Sequence, residues 1–157
     1  MMSAAFAGGV IGTLAMTTII KMAIELGMTR MDFALLLGTA FTDNRRKARA
    51  IGYVVYFLIG VGFAEVYGAF FAIIGRASWQ LGALLGALHA VFVATVLVTV
   101  LLPVVHPRMA TSDTAANDIT LIEPPGFLML NYGRSTFLVT LVAHVVYGVL
   151  VGLIVSL

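Results

Sequence analysis

Residues 51–74 read IGYVVYFLIGVGFAEVYGAFFAII and carry one ionisable side chain, Glu65. At ~1.5 Å of rise per helical residue, the stretch is long enough to cross a hydrocarbon core of ~30 Å. Gly62, Gly68, Ala69 and Ala72 surround Glu65 at helical spacing. Small residues let another helix approach closely, so this reading turns Glu65 and its neighbours into a bundle and away from lipid. A carboxylate at that depth costs roughly 2.5–3.5 kcal/mol on insertion scales, which marks Glu65 as a candidate functional residue.

The composition agrees with a membrane solvent. The 157 residues are 61% hydrophobic and 10% charged, with a net charge of +2. A soluble domain of this length carries about a quarter charged residues. The chain is therefore read as one integral membrane domain, residues 1–157. The absence of cysteine excludes disulfides, thiolate metal sites and cysteine nucleophiles. Three more spans follow outward from the first, at residues 4–26, 81–102 and 136–157. No basic residue precedes residues 4–26 and the apolar run exceeds a signal-peptide core, so it is read as a retained helix. Pro103 is expected to stop the third span. The expected fold is all-α, a bundle of four transmembrane helices. The short connection 76–80 makes spans two and three antiparallel neighbours, and Trp79 suits an interfacial belt. Gly82, Gly86 and Ala90 form one small-residue seam, and His144, Gly148 and Gly152 share a face of the last span.

Connections carry the remaining polar residues. Thr29-Arg30-Met31-Asp32 has capping-box spacing and opens a short helix, residues 31–41. At ~1.5 Å per residue this helix cannot span, so it is interfacial or re-entrant. Lys21 has Glu25 one turn on as a partner. Asp43-Asn44 caps the second span, and Arg45, Arg46, Lys47 and Arg49 follow. Such a run beside a span is a topology signal and a contact for anionic lipid headgroups. It is not a nucleic-acid site, because nothing soluble accompanies it. In the long loop, 104–135, residues 110–118 are polar. Residues 127–133 are apolar and lie on the membrane or tuck under the bundle. The positive-inside rule puts the basic end in the cytoplasm and both termini on the other side of a bacterial inner membrane.

Depths counted from the terminal side put Thr13, Glu65 and His89 at a shared level of ~12–14 Å, and Thr17 and His144 at ~20 Å. In this reading Glu65 and His89 meet directly. Three uses follow from these residue types. The cluster is a satisfied network fixing helix register, a proton or cation site, or a b-type haem site held by His89 and His144. A depth offset of ~8 Å between the two histidines weighs against haem. No helical metal-binding motif is present, so no metal is expected. His106 is expected to be solvated at the boundary. No nucleophile–base set, phosphate loop or nucleotide fingerprint appears. The function expected is a non-enzymatic structural or accessory bundle, self-associating or part of a larger membrane complex, with ion handling and haem redox as alternatives. Two short strings, Ala64-Glu65-Val66-Tyr67-Gly68 and Ala143-His144-Val145-Val146-Tyr147-Gly148, resemble each other as parallel duplicated helix pairs would.

The chain also resembles a family of small four-span bacterial integral membrane proteins with no established function. The strings that carry the resemblance are Gly12-Thr13-x-x-Met16-Thr17, Met31-Asp32, Leu37-Gly38, His106-Pro107, Pro125-Gly126-Phe127, Asn131-Tyr132-Gly133 and His144-x-x-Tyr147-Gly148. The resemblance implies a four-helix bundle with ordered loop elements. It implies no substrate or cofactor.

Overall fold

A computed structural model describes residues 2–110 and 122–157. Of the polar stretch expected at 110–118, all but Ala110 lies outside the described residues. The helices are α1 (Met2–Glu25), α2 (Phe33–Gly38), α3 (Arg45–Ile74), α4 (Trp79–Val105) and α5 (Thr136–Val155). All except α2 are long and apolar enough to cross a membrane. They form the expected all-α four-helix bundle.

Local chemistry sets the ends. Asn44 caps α3, its Oδ1 accepting from the backbone N–H groups of Arg46 and Lys47, both at 3.1 Å. The helix therefore starts at the expected cap, ahead of the apolar stretch 51–74, and takes all four cations into its first turns. Cations there oppose the helix dipole, so they are not present for the sake of the helix. Gly75 closes α3 in the left-handed conformation, φ 70°. The short helix is smaller than residues 31–41. Asp32 is its N-cap, accepting from Leu35 N at 3.0 Å. The Thr29 hydroxyl instead accepts from Met31 N, a local turn that displaces the expected capping box.

Pro103 does not stop α4. Residues Val93–Leu101 are wound as a π-helix, and Leu102–Val105 continue as α-helix to a C-cap at His106. Proline normally breaks a helix by clashing with the carbonyl four residues back. The wider π turn relieves that clash, and Thr99, the residue concerned, directs its hydroxyl to the carbonyl of Ala94.

Around the bundle the order is α3, α1, α5, α4. Three sides are closed by glycine. Between α4 and α5, Gly82 lies on the Gly148 carbonyl, Gly86 on His144 and Gly152 on Ser78. Between α1 and α5, Gly12 meets the Tyr147 ring and Gly8 meets Val151. Between α1 and α3, Gly9 meets Ala64, Gly60 meets Thr13 and Gly68 meets Ala5. Helix α2 lies against α3 where Gly38 meets Ala48 and Gly52 meets Ala34. The fourth side differs. Helices α3 and α4 follow each other in sequence, yet their backbones stand apart and side chains bridge the gap.

The basic end is closed by a cap. His106 is buried and bonds through Nε2 to the Leu36 carbonyl at 3.0 Å, so it is not the solvated residue expected from sequence. Arg108 donates to the Thr39 carbonyl. Met109 and Ile122 form an isolated parallel bridge. The 3-10 turn Phe127–Tyr132 tucks under the bundle, with Met129 fully buried. Leu128 and Met129 take left-handed conformations there, φ 51° and 60°. Each costs of order 1–3 kcal/mol, and burial of Met129 holds them in place. Tyr132 receives Arg30 N on its carbonyl at 2.8 Å and donates its hydroxyl to the Glu123 carbonyl at 2.7 Å. Burial and then Glu123 raise the Tyr132 pKa, against the opposing pull of Arg30. Thr29 and Thr136 share a buried hydroxyl–hydroxyl bond of 2.8 Å, which ties the end of α1 to the start of α5.

The seams make a direct prediction. A side chain on Gly148 meets the Gly82 backbone, which cannot rotate away. Gly148→Leu should cost about 1–3 kcal/mol or more, read as a lower thermal midpoint in detergent. Gly62, with open space where a Cβ would stand, should tolerate the same change in the monomer.

Candidate functional site

The buried centre is built from aromatic rings and imidazoles. Helix α3 turns Gly60, Ala64, Tyr67 and Phe71 inward at helical spacing. Helix α5 turns Ala143, His144, Tyr147 and Val151 inward. His89 comes from α4. Its Nδ1 shares a hydrogen bond of 3.2 Å with the Tyr67 hydroxyl. Phe63 covers its ring at 4.0 Å between centroids, and His144 meets it edge to face at 4.8 Å. His144 Nδ1 lies 2.8 Å from the Thr140 carbonyl. A carbonyl only accepts, so that nitrogen carries a proton. Tyr147 packs edge to face on Tyr67 and donates its hydroxyl to the Gly60 carbonyl.

Glu65 is not part of this group. It is half-buried on the outer face of α3, beside the exposed Gly62, Ala69 and Ala72, in a shallow depression shared with Met2 and Gly68. The expected Glu65–His89 contact is replaced by Tyr67–His89. The physical reason is angular. Residues three or four apart share a helix face, and Glu65 is two residues from Tyr67, which puts it on another side. His144 is three residues from Tyr147 and stays on the inward face. The two similar strings therefore place their tyrosines alike and their ionisable residues differently.

Thr13 is fully buried against Gly60, and its hydroxyl has no partner among the described residues. Thr17 bonds back to the Thr13 carbonyl at 2.7 Å. His89 and His144 are nearer in depth than the sequence count allowed. The seam sets Gly86 against His144, whereas the count placed Leu157 level with Leu81. Lys21 pairs with Asp32 at 3.8 Å instead of Glu25. Arg45, Arg46, Lys47 and Arg49 are all exposed at the basic end.

A cavity of about 70 Å3 lies between α3 and α4 on the open side of the bundle. Tyr56, Phe63, His89 and His144 line it, together with Val93 and Val98 of the π segment. The Tyr56 hydroxyl is buried and has no partner among the described residues. The volume is about half that of an engineered 150 Å3 cavity that takes benzene. The two imidazoles are in contact with each other, so no planar macrocycle fits between them and this arrangement does not suit axial haem ligation. Among the described residues, no three of His, Cys, Asp and Glu come together as a metal site would need.

Sequence reading missed Tyr67, Tyr147, Phe63 and Tyr56. The signal was present: Gly60, Ala64, Tyr67 and Phe71 repeat at three and four, and Glu65 falls outside that stripe. Compared with family models, with curated proteins and with solved structures, the chain finds no match.

Two substitutions separate the satisfied hydroxyls from the orphaned ones. Tyr147→Phe removes the bond to Gly60 and should cost about 1 kcal/mol of stability. Thr13→Val removes an unpartnered buried hydroxyl and should leave the thermal midpoint unchanged or raised. Thermal unfolding of both variants in one detergent checks the pair of signs.

Proposed function

We propose that this chain is a non-enzymatic, multi-pass bundle of a bacterial inner membrane that docks to another membrane helix through the outer face of α3. The docked helix belongs to a second copy or to a partner subunit. The basic end faces the cytoplasm and both termini face the other side. The observation that carries this reading is the position of Glu65. Its carboxylate stands outside the buried centre, among small exposed residues, with no hydrogen bond or ion pair among the described residues. Facing lipid, a carboxylate within a span costs roughly 2.5–3.5 kcal/mol on insertion scales. A helix laid over Gly62, Ala69 and Ala72 would come close enough to give Glu65 a donor and remove it from hydrocarbon. The resemblance to small four-span bacterial membrane proteins supports the setting.

A second reading, proton or cation handling, draws on the contact between His89 and His144. Among the described residues, neither histidine is linked to Glu65.

Association and flux distinguish the two. The chain is cross-linked in native membranes, and proton flux is measured in proteoliposomes. Gly62→Leu and Glu65→Gln should each reduce cross-linked assembly several-fold while the thermal midpoint of the monomer stays put. Flux should equal that of empty vesicles. An uncross-linked wild type with flux lost on Glu65→Gln or His89→Phe would replace docking by ion handling.

A further inference from the structure

At the basic end, where α1 and α3 meet, Asp32 is shared by two cations. Arg49 Nε lies 3.3 Å from its carboxylate and Lys21 Nζ 3.8 Å. Two positive charges on one carboxylate leave the cluster one net positive charge. The carboxylate is the covered member, 17% exposed, whereas Lys21 is 39% and Arg49 48% exposed. The positive charge therefore faces outward. Lys21 Nζ also stands 5.3 Å from the centroid of the Tyr53 ring, which fixes the amine over the edge of α3.

A groove starts beneath this cluster. It runs between α1 and α3, has a volume of about 350 Å3, and is walled by Leu14, Thr17, Tyr53, Val54, Phe57 and Leu58. Thr17 spends its hydroxyl proton on its own helix, so its contribution to the wall is largely its methyl group. From Lys21 to Leu14 the helix descends ~10 Å, and from Arg49 to Leu58 ~14 Å. Half of a ~30 Å hydrocarbon core is ~15 Å, so the path from the cations to the foot of the groove covers most of one leaflet, and its apolar walls, Tyr53 to Leu58 on α3, are the lower ~8 Å of it. A charged entrance above an apolar groove that reaches toward mid-bilayer matches a molecule with an anionic head and a hydrocarbon tail.

We propose that this site binds an anionic glycerophospholipid of the basic-side leaflet, its phosphate between Lys21 and Arg49 and one acyl chain along the α1–α3 groove. The proposal rests on the chain being membrane-embedded, and not on the docking face of α3. A free phosphate would use the cations and leave the groove empty. A zwitterionic lipid would bring its own cation against Lys21 and Arg49. Arg45, Arg46 and Lys47 lie on exposed turns beyond the groove and add a general field without a tail site.

The test is a lipid titration of the delipidated full chain in mild detergent, read by native mass spectrometry and by thermal midpoint. The probes are phosphatidylglycerol, phosphatidylcholine and inorganic phosphate. Phosphatidylglycerol should bind at least tenfold more tightly than phosphatidylcholine and raise the midpoint, and phosphate alone should not. Lys21→Gln should abolish the preference. It leaves Arg49 to neutralise Asp32, so the fold is kept, and Lys21→Arg should restore the preference. Val54→Trp, which fills the groove, should weaken phosphatidylglycerol binding with the cations intact. Arg76→Gln at the opposite end should change nothing. The same titration on Gly62→Leu should match wild type, which separates this site from the association reading. Equal binding of the two lipids, a preference that survives Lys21→Gln, or protection by inorganic phosphate equal to that by phosphatidylglycerol would each overturn the proposal.

Discussion

The structure depends on backbone contact between α4 and α5. Lipid tails are as apolar as leucine, so helices in a membrane gain little from hiding apolar surface from one another. They hold together through close packing instead. Gly82 on Gly148, Gly86 on His144 and Gly152 on Ser78 bring the two backbones together at three successive turns. A slide along the seam would set a side chain against a carbonyl, so the register is fixed. That register brings His89 and His144 into contact and leaves Tyr67 as the partner for His89. The arrangement of the buried aromatic centre is thus tied to the seam.

The four spans and the caps at Asn44 and Gly75 were legible because length, hydropathy and local hydrogen bonding are local properties. The seams were legible as glycine repeats. Register was not, because counting from helix ends assumes that the ends are level, and α5 is offset along α4. The face of Glu65 is readable from Tyr67, which marks the inward stripe, but the small residues around Glu65 imitate a buried seam. Small residues mark close approach without saying whether the approaching helix belongs to the same chain. His106 and Pro103 are not legible in the sequence, for a shared reason. Their surroundings are set by segments distant in sequence, the Leu36 carbonyl for one and the π turn for the other.

Most of the loop strings behind the family resemblance meet in the cap. Asp32 starts α2, Gly38 rests on Ala48, and His106 bonds to Leu36. Asn131 donates to the Pro124 carbonyl at 2.9 Å and fills the space beside Gly126. Gly133 gives Thr136 its first turn. Strings that are short and scattered along the chain thus form one hydrogen-bonded unit that closes the basic end and fixes where α1, α4 and α5 enter it.

The four span-length helices also differ in length, from 20 residues in α5 to 30 in α3. At ~1.5 Å per residue α5 spans ~30 Å, a full hydrocarbon core with nothing to spare, while α3 measures ~45 Å. In the orientation proposed above, with the loop from Gly75 to Ser78 at the membrane surface on the terminal side, the surplus length of α3 would stand at the basic end and carry Arg45 and Arg46 clear of the hydrocarbon. Helix α5 would then be the span that fits the core most closely, and a thicker bilayer would bring those two cations nearer to hydrocarbon.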